Sequence, residues 1–245
     1  MSSKIGIKLT LKYSINFSLP KRSKNKIKFI ILHYTGMRKE SDAIKKLCDP
    51  KAKVSSHYYI KNNGEVINFI PDLYEAWHAG KSNWRNYKSL NKYSIGVEIT
   101  NPGHQHGYRN FSSKQIKSLK QLLIYLIQKY KINKKCILGH SDISPDRKKD
   151  PGEKFPWRLL AKRKLCLWHN LKPQKLKKLR GIKIISENEK IEFLKNLKKI
   201  GYNSNIADTK NKIIIEAFQR RFRQTLVNGK IDKECLFISK NLTIV

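Results

Sequence analysis

Residues 27–33 read IKFIILH. The run is rich in β-formers, and side chains alternate across a strand, so Phe29, Ile31 and His33 share one face. The stretch YSIGVEI, residues 93–99, repeats the pattern, with Ile95, Val97 and Ile99 on one side and Gly96 and Glu98 on the other. A third apolar run, CILGH at 136–140, is a short strand ending in His140. Between the first two lies SHYYIKNNGEVINFI, which reads as two strands around an Asn-Gly turn. KIGIKLTLKY, within an otherwise irregular arm over 1–25, alternates as an edge strand does. Helices separate the strands. ESDAIKKLCD has helical character and stops at Pro50. In 112–131, Ile116, Leu119, Leu123, Leu126, Ile127 and Tyr130 recur at three- and four-residue steps, and Ser112 with Gln115 fits a capping box. Strands mixed with long helices define an α/β or α+β domain over roughly the first 165 residues.

The chain beyond that point changes character. Residues 162–183 are basic and broken, as a linker or docking helix would be. EKIEFLKNLKKIGY and DTKNKIIIEAFQRRFRQTLV then show helical periodicity, and Asp232 is placed to cap a last short helix. The expected organisation is an arm at 1–25, an α/β domain at 26–165, a basic linker at 166–180 and a helical domain at 181–245.

Composition sets outer bounds. Eleven Tyr, nine Phe and four Trp supply core side chains, which excludes wholesale disorder. A formal charge of +35 attracts polyanions of any kind, whether nucleic acid, anionic lipid or acidic wall polymer, and biased codon usage accounts for it equally well. No helix-turn-helix, RRM-like or zinc-finger pattern is present, so no specific nucleic-acid partner is expected. Cys48, Cys136, Cys166 and Cys235 form no CxxC pair and read as buried thiols in a reducing compartment. The N-terminal sequence lacks the apolar core of a signal peptide, and no run of about 18 apolar residues exists. A cytoplasmic location without a transmembrane segment is therefore expected, export by a signal-independent route being the alternative.

Chemistry concentrates at the strand ends. His33 and His140 each end a strand, and Asp150 follows His140 by ten residues in a Pro-containing loop. Two imidazoles and a carboxylate make the ligand set of a catalytic zinc site with its fourth position open. Taken singly, a strand-end histidine is equally a hydrogen-bonded structural residue. Glu98 lies opposite three aliphatics, so it is either solvent-exposed or aimed into a cleft as a general base. Lys148 stands two residues before Asp150, as a solvated side chain or an oxyanion partner.

FIILHYTG, VSSHYYIKNNGEVINFIPDLYEAWHAGKSNW, YSIGVEI, GHSDISPDRKKDPG and FPW follow one another in that order over about residues 26–160. In this the chain resembles the zinc-dependent N-acetylmuramoyl-L-alanine amidases of type 2, relatives of the peptidoglycan recognition proteins. The resemblance implies an α/β fold with a central mixed β-sheet flanked by helices. It implies one zinc ion held by His33, His140 and Asp150, with Glu98 and Lys148 as catalytic groups. It also implies a peptidoglycan or muropeptide substrate, with His57, Trp77, His78, Arg85 and Asn86 as substrate-cleft residues, His57 and His78 being alternatively groups that lie behind the metal ligands and Trp77 a core side chain. The implied reaction is hydrolysis of the amide between N-acetylmuramic acid, intact or in its 1,6-anhydro form, and L-alanine; a non-catalytic sensor of the same fold is the alternative. The C-terminal region is similar to the small three-helix peptidoglycan-binding domain, with Ile200-Gly201-Tyr202, Ala217-Phe218-Gln219 and Asn228-Gly229 in its motif positions and Asn where that family has Asp.

Overall fold

The computed structural model describes residues 9–184, 186–203 and 211–245. Six strands form the central sheet: β1 (Leu9–Leu11), β2 (Phe29–Tyr34), β3 (Tyr58–Ile60), β4 (Val66–Asn68), β5 (Ser94–Ile99) and β6 (Ile137–Gly139). Their spatial order is β1-β4-β3-β5-β2-β6. Only the β3–β4 hairpin is antiparallel; the other four pairings are parallel, so the sheet is mixed. At the hairpin, Gly64 takes a φ of +86°, which an L side chain resists, and its amide donates to the Lys61 carbonyl. The part of the expected N-terminal edge strand that lies among the described residues is β1, on the outer edge beside β4; the remainder, residues 4–8, lies outside them.

The two faces of the sheet are covered differently. Ile30 and Leu32 of β2 and Ile95, Val97 and Ile99 of β5 pack with Leu119, Leu122, Leu123 and Leu126 of α2 (Ser113–Tyr130). The start of α2 carries the full capping box, Ser112 Oγ accepting from the Gln115 amide and Gln115 Oε1 from the Ser112 amide. The alternate β2 residues Phe29 and Ile31 share a buried cluster with Leu138 and with C-terminal side chains including Phe193, Leu197 and Phe218. Those side chains belong to α6 (Glu187–Ile200) and α7 (Asn211–Phe222), and α8 (Lys233–Leu242) packs along α6. His33 is the third residue on that face of β2, and there the helical cover ends. The pattern therefore makes one strand serve two purposes: its first half seats helices and its end opens into a cavity.

Shorter helices fill the remainder: α1 (Glu40–Cys48), a single turn α3 (His140–Ile143), α4 (Trp157–Lys162) and α5 (Pro173–Leu179). His140 thus opens a helical turn immediately after β6 rather than terminating the strand itself, because Asp142 accepts from the Gly139 amide and closes the turn. In the C-terminal region the motif residues meet. Gln219 is fully buried, its Oε1 accepting from the Asn228 and Gly229 amides, and Asp232 caps α8 through the Cys235 amide. Residues 208–210 at the start of the second periodic segment lie outside the described residues. Among the described residues no helix is long and apolar enough to cross a membrane.

Candidate metal centre and active site

Three chain segments deliver three donors to one point. His33 Nδ1 lies 2.9 Å from His140 Nδ1 and 3.0 Å from Asp150 Oδ2, and His140 Nδ1 lies 3.1 Å from the same oxygen. All three residues are buried. A tetrahedral site with bonds of ~2.0–2.1 Å to imidazole nitrogen spaces its donors roughly 3.3 Å apart, so this spacing is close to that of a zinc-sized cation's ligands.

The outer hydrogen bonds say which imidazole nitrogens carry protons. Ser94 Oγ donates to the Leu90 carbonyl at 2.7 Å, which leaves its oxygen to accept from His78 Nε2 at 3.1 Å. His78 Nδ1 then accepts from His33 Nε2 at 3.0 Å, and His33 Nδ1 is left as a bare lone pair facing the cluster. On the other side His140 Nε2 donates to the Ala79 carbonyl at 3.1 Å, so His140 Nδ1 is bare as well. Two lone pairs and a carboxylate oxygen facing one another repel unless a cation or a shared proton lies between them. The donor set therefore fits a divalent metal.

Electrostatics agree with that geometry. Burial works against the Asp150 carboxylate, yet the neighbouring His140 and His33, through charge and hydrogen bonds, hold its pKa well below the ordinary carboxylate range. Burial, then the proximity of His140, pushes His33 down to about 4, so it is neutral at pH 7.

Glu98 stands beside His33 in register on the adjacent strand. Its Oε2 is buried without a hydrogen-bond partner, and burial followed by the Asp150 charge raises its pKa to about 8, with Lys148 acting in the opposite direction. Both Glu98 and Lys148 line a cavity of about 480 Å³ that also contains His33, His140 and Asp150. Trp77 lines it too, with its indole Nε1 donating to Ser18 Oγ at 2.8 Å.

The five cleft residues anticipated from sequence separate into two groups. Trp77 and His78 line the cavity, although the hydrogen bonds of His78 are spent on orienting His33. His57 does not reach it. That imidazole is fully buried, its Nδ1 accepting from the Gly96 amide and its Nε2 facing the Tyr74 carbonyl, where it ties β3 to β5. Burial and then Arg22 push the His57 pKa down to about 3, as suits a neutral structural imidazole. Arg85 and Asn86 are exposed at the turn between the paired segments Asn83–Trp84 and Tyr87–Lys88. Arg85 donates its amide to the Gly201 carbonyl at the end of α6, so this turn meets the C-terminal helices and not the cavity.

Several participants carried no separable signal in the sequence. Ser94 is one serine among many until His78 is seen to rest on it. Tyr34 and His104 form another wall of the cavity, Tyr34 O–H donating to His104 Nδ1 at 2.8 Å and His104 Nε2 facing Glu153 at 3.0 Å. Gly96 had a visible role only as a gap. A Cβ there would sit 2.4 Å from the His78 ring, so the glycine makes room for the imidazole that orients His33. Gly96→Ala is expected to displace His78 and weaken metal binding about 10–100-fold, the usual cost of losing an outer partner of a ligand; zinc titration of the folded variant measures it.

A mixed sheet that presents two histidines, an aspartate and an unpaired carboxyl in one cavity offers the donor set and acid–base group that a metal-dependent hydrolase would use. Residues 23–153 match the N-acetylmuramoyl-L-alanine amidase family, and the chain belongs to it. It is 33% identical over 231 residues to the N-acetylmuramoyl-L-alanine amidase AmiD of Escherichia coli K12, covering 89% of this chain and 82% of that one. A 1,6-anhydro-N-acetylmuramyl-L-alanine amidase AmpD of Haemophilus influenzae is 33% identical over 149 residues, 54% of this chain and 79% of its own. Among solved structures, the complex of E. coli AmiD with anhydro-N-acetylmuramic acid-L-Ala-D-γ-Glu-L-Lys superposes with a TM-score of 0.79 and 31% identity, covering 92% of this chain and 91% of that one.

Proposed function

We propose that this chain hydrolyses the amide between N-acetylmuramic acid, in intact or 1,6-anhydro form, and the L-alanine of the stem peptide, using one zinc ion held by His33, His140 and Asp150. The observation that carries the reading is the convergence of three donor atoms beside a buried, unpartnered Glu98 oxygen in one cavity. A zinc ion held by His33, His140 and Asp150 would acidify a water and polarise the scissile carbonyl. Glu98 takes a proton from the attacking water and passes it to the departing alanine nitrogen, so that amide and water become carboxylate and amine. The Lys148 ammonium faces the oxygen on which negative charge develops. Trp77 offers an apolar wall to sugar or peptide. Likeness to AmiD, whose structure holds an anhydro-muramyl tripeptide, supports an anhydro-muropeptide as one substrate. The resemblance of the helices over 181–245 to a peptidoglycan-binding domain favours retaining wall polymer as a second.

Incubation with anhydro-muropeptide and, separately, with intact sacculi, followed by mass spectrometry, tests this. Expected products are free peptides beginning with L-alanine and peptide-free muramyl sugar, with loss of activity on chelation and recovery on adding zinc. Stoichiometric zinc binding with no peptide released from either substrate would instead establish the sensor reading.

A further inference from the structure

The C-terminal helices do more than cover the sheet. Asp142 sits two residues from His140, on the same helical turn, and is buried. Its Oδ2 accepts from the Gly139 amide at 2.8 Å and from Arg221 Nη1 at 2.5 Å, while its Oδ1 accepts from the Tyr202 hydroxyl at 2.5 Å. Tyr202 follows α6 and Arg221 lies on α7, so both outer partners of this carboxylate come from the C-terminal region. Arg221 is buried too, stacks over Trp157 at 4.5 Å and donates through Nη2 to the Ile137 carbonyl of β6 at 2.9 Å.

The contact extends to the far end of the same loop. Gln224 Nε2, just beyond α7, donates to the Glu153 and Phe155 carbonyls, each at 2.6 Å. Within the loop, the Ser141 amide donates to the Asp150 carbonyl at 2.8 Å, which links the turn bearing one ligand to the segment bearing the other. The C-terminal region therefore holds residues 137–155 at both ends, and that loop carries two of the three donors. An ion pair buried this deeply is costly to desolvate, and apolar packing of equal volume would serve stability as well. Placement of a rigid turn is what the pair supplies that apolar packing would not.

We propose that Tyr202, Arg221 and Gln224 are positioning residues for the metal centre, acting through Asp142 and the 153–155 carbonyls on His140 and Asp150. The helical region at the C-terminus is on this account a structural part of the active site. The inference rests on the metal assignment made above.

Tyr202→Phe in the full chain removes one hydroxyl while keeping the ring, and Asp142→Asn keeps the shape while losing the charge. Leu236→Ala, in the buried cluster of the same helices, serves as a control that loosens packing while keeping the Tyr202, Arg221 and Gln224 hydrogen bonds to the loop. Zinc affinity is read by competition with a chromophoric chelator, the geometry by the visible absorption of the cobalt-substituted protein, and apo stability by thermal melting. Tyr202→Phe is expected to weaken zinc binding about tenfold and to alter the cobalt spectrum, and Asp142→Asn to weaken it about 10–100-fold. Leu236→Ala is expected to lower the melting temperature at least as much as Tyr202→Phe while leaving zinc affinity and the cobalt spectrum unchanged. Wild-type zinc affinity in folded Tyr202→Phe overturns the proposal, whether or not Asp142→Asn folds. So does an equal loss of affinity in Leu236→Ala. Failure of the wild-type chain to bind zinc would refute the metal reading itself, a result distinct from either.

Discussion

Glu98→Gln leaves zinc stoichiometry at the wild-type value and lowers kcat by about 10²–10⁴-fold, the range that a positioned general base contributes. Glutamine matches the volume of the buried carboxyl and keeps an oxygen at the same place, so neither packing nor the ligand set is disturbed. What it removes is the ability to hold a proton between water and leaving nitrogen. Metal analysis beside single-turnover kinetics separates the two effects; wild-type turnover in the variant would remove Glu98 from the chemistry. The same substitution has a signature in the metal-free protein. The Glu98 pKa rises from 4.5 unfolded to about 8 folded, because burial and the Asp150 charge disfavour the carboxylate. Between those values the folded state binds the extra proton, so stability falls as pH rises through that window. The buried histidines act oppositely. His33 and His57 have folded values of about 4 and about 3 against 6.5 unfolded, so their contribution is complete above 6.5 and is lost as pH falls. From pH 6.5 to 8 the Glu98 slope stands apart from theirs, and thermal melts of metal-free Glu98→Gln should be flatter there than wild type.

Asp150→Ala abolishes turnover by a different route. It deletes the charged member of the donor set and leaves His33 Nδ1 and His140 Nδ1 facing each other at 2.9 Å with no anion to offset a dication. Zinc affinity should fall by more than the ~100-fold typical of losing an outer partner, since a direct ligand is gone. Equilibrium dialysis against a zinc buffer reads this directly. Asp150→Asn is the informative companion. It keeps the acceptor oxygen and loses the charge, so an intermediate affinity would assign the balance between coordination and electrostatics. If Asp150→Ala retained zinc at wild-type affinity, the metal would have to be held elsewhere and the reading of the centre would fail.

Much of the frame was legible because local rules dictate it. Alternation in IKFIILH grouped Phe29, Ile31 and His33 on one face of their strand, alternation in YSIGVEI grouped Gly96 with Glu98 on one face of theirs, and the structure pairs His33 with Glu98 in register, so both sets share one side of the sheet. The Asn-Gly turn and the Ser112–Gln115 box acted within a few residues of themselves, where backbone sterics and orphan amides decide the outcome. His57 was misleading for the same reason that His33 was informative: both lie in or beside β-rich runs, and sequence periodicity does not say which strand will lie alongside. His57 found the Gly96 amide and the Tyr74 carbonyl, and so became a tie between strands. Arg85 and Asn86 occupy a turn that meets α6, a neighbour more than a hundred positions away.

By itself, then, the amino-acid order determined strands, helices, turns and the kinds of side chain that end them, since each depends on steric and hydrogen-bonding choices made within a few residues. Only the tertiary structure decided that donors 107 and 117 positions apart share one point, that Ser94 and His78 select the tautomer of His33, and that Tyr202 and Arg221 grip the turn beside His140. Those facts depend on parallel strand order and on which helix covers which half of a face, and both are settled by burial of the whole chain at once.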